Sequence, residues 1–350
     1  MKDGPLVTRA GGHSPRQGQA PAPGRPPVRL PGGGPAGQGR RYLPAWVVLG
    51  VVAGTTALLA WLPLPFLVVA PGQVFDLAQM VRVPGAGAVG PGARAAGPGV
   101  GLVTVAAHPA RGWEVALALF HPWQEVTSTA SLPLPVEQYM EAERLLFRES
   151  AHFAAAAAFS LAGDRVEPAG GGVVVQWVTP DSPLHGRIRA GEILEGYPTT
   201  FHLRRGLREH GPVRVWVEGR QLQLGPGDLR GVGLATVDPA VPGVPLTLTG
   251  EEVGGPSGGL ACGLEVLRQL GKVSIPAGLR VAATGTLDPS GEVGRTGGVA
   301  LKARAARAAG VRLFLVPAGQ EEEARRAAPG LEVAGVGSLA EAVAILALRR

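Results

Sequence analysis

Ser257 and Lys302 are the residues of this 350-residue chain whose types and surroundings could do covalent chemistry. Ser257 lies in Gly254-Gly255-Pro256-Ser257-Gly258-Gly259, directly before the apolar run LACGLEVLRQL, which reads as a helix to Leu270. A hydroxyl on a Gly-rich turn at a helix N-terminus sits among backbone amides that can point at a developing oxyanion. Gly255 to Gly259 also fits G-x-S-x-G, the hydrolase elbow, but that arrangement needs an aspartate and then a histidine downstream. No histidine follows His210, so the α/β-hydrolase reading fails on chain order and a serine nucleophile here needs another base.

Lys302 can be that base. Only three of the 33 basic residues are lysines, Lys2, Lys272 and Lys302, so the chain otherwise meets its needs for positive charge with arginine. Arginine cannot be deprotonated in a protein, whereas a buried lysine becomes neutral readily. Lys302 ends the run Gly297-Gly298-Val299-Ala300-Leu301-Lys302, at the start of a predicted helix to about Ala309. There the positive end of the helix dipole and desolvation against Val299 and Leu301 both favour the neutral amine, which can take a serine proton. Residue types alone equally allow Ser257 as a helix cap and Lys302 as a surface lysine.

Other chemistries are excluded more directly. One cysteine, Cys262, rules out an intrachain disulfide, a CxxC pair and a multi-thiolate zinc site, and it reads as a packing residue. The seven histidines are scattered without HExxH, and no G-x-x-x-x-G-K-[ST] phosphate loop occurs, so neither a metal nor a cofactor is expected. The formal charge of +6 equals the excess in residues 1–41, where seven basic residues face Asp3 alone. The remainder is close to neutral, which removes the support for a nucleic-acid partner.

The elements that must position the pair follow along the chain. Residues 1–41, rich in Gly and Pro, cannot bury a core and read as a disordered basic tail. The uncharged segment 43–66 contains Ala45 to Leu62, which reads as a transmembrane helix bracketed by Trp46 and Trp61 and ended by Pro63 and Pro65. A cleaved signal peptide and a buried core helix are the alternatives. Arg40 and Arg41 before the span imply a cytoplasmic N-terminus and extracytoplasmic domains beyond it. A connecting region over 67–165 holds a Gly-rich loop from Gly85 to Gly99, strands over Gly101 to Ala107 and Glu114 to Phe120, and a helix from Val136 to Ala162 stopped by Gly163. The charges of that helix, among them Glu143 and Glu149, read as a solvated face.

Residues 166–225 resemble a bacterial PDZ domain, with Val173-Val174-Val175, Ser182-Pro183, Arg189-Ala190-Gly191-Glu192 and Leu194 as the matching positions. Glu192 replaces the usual aspartate, and Gly196-Tyr197-Pro198 stands where a longer hairpin is common. Such modules bind peptides by strand addition, and an unrelated small β module is the alternative. Residues 228–350 resemble the proteolytic domain of Lon proteases through Gly255-Pro256-Ser257-Gly258-Gly259, Thr284-Gly285, and Gly297-Gly298 with Lys302. That resemblance implies a Ser257–Lys302 dyad, with Thr284 orienting the lysine and Gly255 and Gly258 shaping the turn. It departs from the ATP-dependent members at Gly254, where they carry an aspartate, and at Gly258, where alanine usually follows the serine. The order of segments is most similar to membrane-anchored PDZ and Lon-like proteases.

The expected fold class is therefore α+β, with an N-terminal transmembrane helix, a β-rich PDZ-like domain and a Lon-like α+β domain. The expected function is ATP-independent, membrane-anchored serine endopeptidase activity at the cell membrane, with the PDZ module recognising or gating substrate. The alternative is a catalytically inactive, membrane-tethered peptide-binding scaffold. Partners follow as protein or peptide substrates and the membrane, with homo-oligomers left open.

Overall fold

The computed structural model describes residues 43–84, 99–249 and 253–349, so the basic tail, the orientation argument from Arg40 and Arg41, and nearly all of the expected 85–99 loop lie outside the described residues. Val52–Arg350 forms one compact unit.

Helix α1 (Ala45–Trp61) has 17 residues. Among the described residues no helix is long and apolar enough to cross a membrane, which corrects the transmembrane helix expected over 43–66. The cause is local, because Pro63 cannot continue a helix and the residues from Pro63 to Asp76 form the 14-residue strand β1. The last part of the expected span is therefore sheet backbone.

Asp76 then caps the short helix α2 (Leu77–Met80) by accepting from the Ala78 N–H at 3.0 Å, and β2 (Val81–Arg82) follows. Strand β3 (Gly101–Arg111) returns antiparallel along β1, from Gly101 opposite Asp76 to Arg111 opposite Pro63. The strand expected over Glu114 to Phe120 is instead part of helix α3 (Gly112–Ala118). Glu114 accepts from the Arg111 N–H at 2.7 Å, a capping bond that starts a helix, and a short apolar run fits either period. Strand β4 (Glu125–Ser128) pairs with the other edge of β1.

Helix α4 (Val136–Ala162) runs 27 residues between Pro135 and Gly163, the latter in the left-handed conformation that ends helices. Its run Ala154 to Ala158 is buried throughout, and small side chains let other elements approach closely. After it comes a module with its own core. Strands β5 (Val173–Val178) and β6 (Ile193–Leu194), helix α5 (Thr200–His210), the hairpin β7 (Val213–Val217) and β8 (Arg220–Leu224), and strand β9 (Val232–Thr236) enclose Val175, Leu184, Leu203, Val215, Leu224 and Leu234. The sheet order is β6-β5-β9, so β9 is an edge strand. Ala169 and Ala240, at the entrance and exit of the module, exchange both backbone hydrogen bonds, at 2.8 and 3.0 Å.

Strand β10 (Thr247–Leu248) pairs with β2, and a single 3-10 turn, Pro256–Gly258, leads into helix α6 (Gly259–Gln269). Every residue of α6 from Gly259 to Arg268 is buried, as a helix wedged between α4 and the sheet must be. Its buried Glu265 is satisfied by Arg268 at 2.7 Å and by the Val100 N–H at 3.2 Å. The chain continues through β11 (Val281–Ala283), β12 (Thr286–Leu287), β13 (Val293–Gly294), α7 (Val299–Ala308), β14 (Leu313–Pro317), α8 (Glu321–Ala327), β15 (Glu332–Val336) and α9 (Leu339–Ala347).

The main sheet has the order β15-β14-β11-β3-β1-β4, a curled half-barrel. Strands β11, β14 and β15 are mutually parallel, and β11 is also parallel to β3. Parallel neighbours need crossover connections, which α7 and α8 supply. The fold is thus mixed α/β, not the α+β class expected; strand and helix spans read singly do not reveal that the strands pair in parallel. The sheet also draws β1 and β3, from the segment expected to be a connector, alongside β11, the strand that ends at Thr284.

Candidate active site

The structure brings Ser257, Thr284 and Lys302 together. Ser257 is on the 3-10 turn before α6, Thr284 directly follows β11, and Lys302 is in the first turn of α7. The Lys302 Nζ lies 2.9 Å from Ser257 Oγ, 3.2 Å from Thr284 Oγ1 and 2.8 Å from Thr296 Oγ1. Lys302 and Thr284 are buried, while Ser257 is half-buried and reachable.

The hydroxyl protons decide what this cluster can do. Thr284 Oγ1 donates to the Ser257 carbonyl at 3.3 Å, and Thr296 Oγ1 donates to the Gly297 carbonyl at 3.4 Å. Both threonines therefore receive from Lys302. A neutral amine has two N–H groups, and two threonine acceptors use them. As an ammonium Lys302 donates its third N–H to Ser257 Oγ at 2.9 Å, and once neutral it holds a lone pair at that same position, where a general base would need it. Burial pushes the Lys302 amine down from 10.5 to about 8, opposed by the negative charge of Glu143.

Several contacts hold this arrangement. The Gly285 N–H donates to the Ser257 carbonyl at 2.8 Å, tying the strand end at Thr284 to the turn that carries Ser257. Buried Gln320 clamps Thr296 from both sides, accepting from its N–H at 3.0 Å and donating to its carbonyl at 2.9 Å. From α4, Ser150 Oγ donates to the Pro256 carbonyl at 2.8 Å, and the Glu143 carbonyl accepts from the Gly255 N–H at 2.8 Å. Gly255 has a φ of 86°, and a Cβ there would come within 2.8 Å of the Glu143 carboxylate. A Cβ at Gly258 would sit 3.0 Å from both Leu102 and Phe147, so the alanine of the resembled pattern would press on the core here.

No protein-family model matches the chain, and no curated protein matches it.

Three residues of the cluster were not singled out in the sequence. Glu143 and Ser150 sit mid-helix in α4, 114 and 107 positions before Ser257, and nothing in their spacing points to it. Thr296 belongs to the Gly-rich turn before α7, and asking what satisfies a buried lysine's donors would have found it. The reading of the α4 charges as a solvated face is corrected for Glu149, which is buried, and for Glu143, which lies against the nucleophile turn. A Cβ at Gly254 would be 2.9 Å from the Glu143 Cβ, so an aspartate at that position has no room and the volume is filled from α4.

Burial raises the Glu143 carboxyl above its usual range, while its hydrogen bond with Tyr139 and the Lys302 charge oppose this. The Tyr139 hydroxyl is itself pushed up to about 12 by burial and then by Glu143, so it stays a donor. Glu143→Gln removes a negative charge that favours protonated Lys302. The acid limb of any Lys302-dependent activity is therefore expected at lower pH, with a reduced plateau because the lysine ammonium formed during reaction loses its counter-charge. A pH–rate profile that keeps its midpoint would show that the carboxylate does not act on the lysine.

Cys262 is buried in α6, and burial followed by the Glu265 charge pushes its thiol up to about 12. Iodoacetamide is expected to leave it unmodified in the folded chain and to alkylate it in denaturant, as read by mass spectrometry. Among the described residues no cluster of His, Cys, Asp and Glu could hold a metal ion.

Proposed function

We propose that the chain is an ATP-independent serine endopeptidase with Ser257 as nucleophile and Lys302 as general base. The observation that carries this reading is the 2.9 Å approach of the buried Lys302 Nζ to Ser257 Oγ, with Thr284 and Thr296 accepting its other N–H groups. In the reaction, Ser257 Oγ attacks the scissile carbonyl carbon as its proton passes to Lys302 Nζ. The tetrahedral oxyanion meets the backbone amides of the turn that opens α6. Collapse breaks the C–N bond, Lys302 gives its proton to the leaving amine, and an acyl-Ser257 remains. Water then attacks with Lys302 again as base, releasing the acid.

The resemblance to Lon-type proteolytic domains supports the same assignment. The module between α4 and β10 is proposed as PDZ-like and as the part that recognises or gates substrate. The rival reading is an inactive peptide-binding scaffold. A fluorophosphonate probe separates the two, since the peptidase is expected to be labelled at Ser257 and to cleave an unfolded protein, with both lost in Ser257→Ala. Absence of label on the folded chain across pH 7 to 10 would leave the scaffold.

A further inference from the structure

Gln320 is a buried polar residue that the proposed reaction does not use, and the sheet sets it close to the residues that do. Strands β11 and β14 are parallel neighbours, with Ala283 opposite Leu315, so both end on the same side of the sheet. Thr284 follows the end of β11, and Gln320 follows the end of β14 after a short turn. The crossover between these strands runs through α7, and the turn before α7 meets both strand ends: Lys302 bonds to Thr284, and Thr296 to Gln320. The Gln320 backbone is itself fixed. Its N–H donates to the Pro317 carbonyl at 3.1 Å, and its carbonyl accepts from the Ala324 N–H at 3.2 Å. From that anchored position the side-chain amide accepts from the Thr296 N–H at 3.0 Å and donates to the Thr296 carbonyl at 2.9 Å. Only an amide offers donor and acceptor together in this way, whereas a glutamate would offer acceptors alone. A residue bonded at both backbone groups has its Cβ direction fixed, and a β-branched side chain adds few χ1 choices. Thr296 Oγ1 makes the shortest of the three Lys302 Nζ contacts, at 2.8 Å against 2.9 Å to Ser257 and 3.2 Å to Thr284.

We propose that Gln320 is a positioning residue that acts through Thr296 to hold the Lys302 amine aimed at Ser257. Two directions of the tetrahedral nitrogen are taken by hydroxyls on two separate loops, which leaves the third for the serine. With Thr296 removed, a single hydroxyl would have to orient an ammonium on a flexible four-carbon stem. Neither Thr296 nor Gln320 belongs to the pattern on which the Lon resemblance rests. The reaction served depends on the peptidase reading of Ser257, whereas the placement of the amine does not.

The test reads the lysine and the serine separately. The full chain has three lysines, so isotope-labelled lysine gives three Cε signals by NMR, and Lys302→Arg identifies the one that matters. The ionisable group that faces Lys302 is Glu143 of α4, with the Tyr139 hydroxyl behind it, and both are kept throughout. Among the described residues no charge on β1, β3, β14 or α8, which pack against α7, acts on the amine. Thr296→Val keeps the shape without the acceptor. An ammonium loses more than a neutral amine when an acceptor is removed, so the Lys302 titration midpoint is expected to fall by about one pH unit. Thr296→Ser keeps the hydroxyl and should keep the midpoint. Fluorophosphonate labelling of Ser257, read at a pH above both midpoints, should slow about tenfold in Thr296→Val, since aim and not charge state then differs. Gln320→Met keeps the length without either bond and should move both readouts the same way. The double variant should be no worse than Thr296→Val alone, because Gln320 acts only through that hydroxyl. An unmoved midpoint in Thr296→Val would overturn the proposal, and needs no substitution at Gln320 should Gln320→Met fail to fold. A double variant clearly below Thr296→Val, or midpoint shifts with unchanged labelling rates, would overturn it too. Ser257 unlabelled on the unsubstituted chain, with the midpoints shifted as expected, would refute the nucleophile and keep Gln320 as the residue that places the amine.

Discussion

Lys302→Arg is expected to abolish peptidase activity as completely as Ser257→Ala, a loss of about 10³-fold or more. Guanidinium keeps the positive charge but stays protonated above pH 12, so it cannot accept the serine proton. Because the two residues act as a unit, the double variant should be scarcely worse than either single one. In the wild type only the neutral amine is competent, so kcat/KM should rise about tenfold per pH unit below 8 and level off above it, as the lysine amine titrates near 8. Substantial turnover by Lys302→Arg, or a profile flat from pH 6 to 9, would return Ser257 to the role of helix cap.

Glu149→Ala is expected to have the largest effect on stability, about 3 kcal/mol by thermal unfolding. Glu149 Oε1 accepts from Thr200 Oγ1 at 2.6 Å, from the Thr236 N–H at 3.0 Å and from Thr236 Oγ1, all in a buried setting. Truncation leaves those donors without a partner. Glu149→Gln keeps an acceptor oxygen and should cost about 1 kcal/mol or less. The sign of the charge contribution agrees, since burial raises the Glu149 carboxyl above its usual value against the pull of its hydrogen bonds. A raised carboxyl binds its proton more tightly in the folded chain than in the unfolded one. Its ionisation therefore opposes folding above its raised value, and that cost disappears as pH falls below the unfolded value. A Glu149→Gln variant as unstable as Glu149→Ala would show that one amide oxygen cannot replace the carboxylate as acceptor for Thr200 and Thr236.

What could be read in the sequence was local. Val136–Ala162 begins after a proline and ends at a left-handed glycine, and both punctuation marks are visible in the residues. Ser257 and Lys302 are marked by Gly-rich turns at two helix starts, each a short-range pattern. The partners that orient them come from far along the chain. Glu143 and Ser150 reach the nucleophile turn only because α4 packs against α6, and packing between helices leaves no spacing signal across more than 100 residues. The same holds for the sheet. β11, β14 and β15 are short segments, and their parallel pairing with one another, and of β11 with β3, depends on register that no single strand displays. The expected membrane span failed for the opposite reason: the apolar run from Ala45 yields a helix of 17 residues that stops at Trp61, and the remainder of 43–66 from Pro63 on belongs to β1.

The mutual backbone pairing of Ala169 and Ala240 makes the whole module a side-branch of the chain. Residues that exchange both hydrogen bonds in an antiparallel pair have Cα atoms about 5.5 Å apart, a gap that two or three residues can bridge. In engineering terms the module is a detachable cartridge, and the natural cut lies at 169 and 240, outside the 166–225 segment by fifteen residues at its far end. A chain closed there by a tight turn keeps α4, the half-barrel sheet and the dyad in their original order. Glu149 would be left facing solvent where Thr200 and Thr236 had been, and Tyr139 and Phe153 would lose the rings of Trp177 and Phe201, so polar replacements at those two positions would be needed. Unrelated binding modules whose ends lie equally close could be spliced into the same gap, which turns the junction into a socket for exchanging what the chain holds beside its half-barrel sheet.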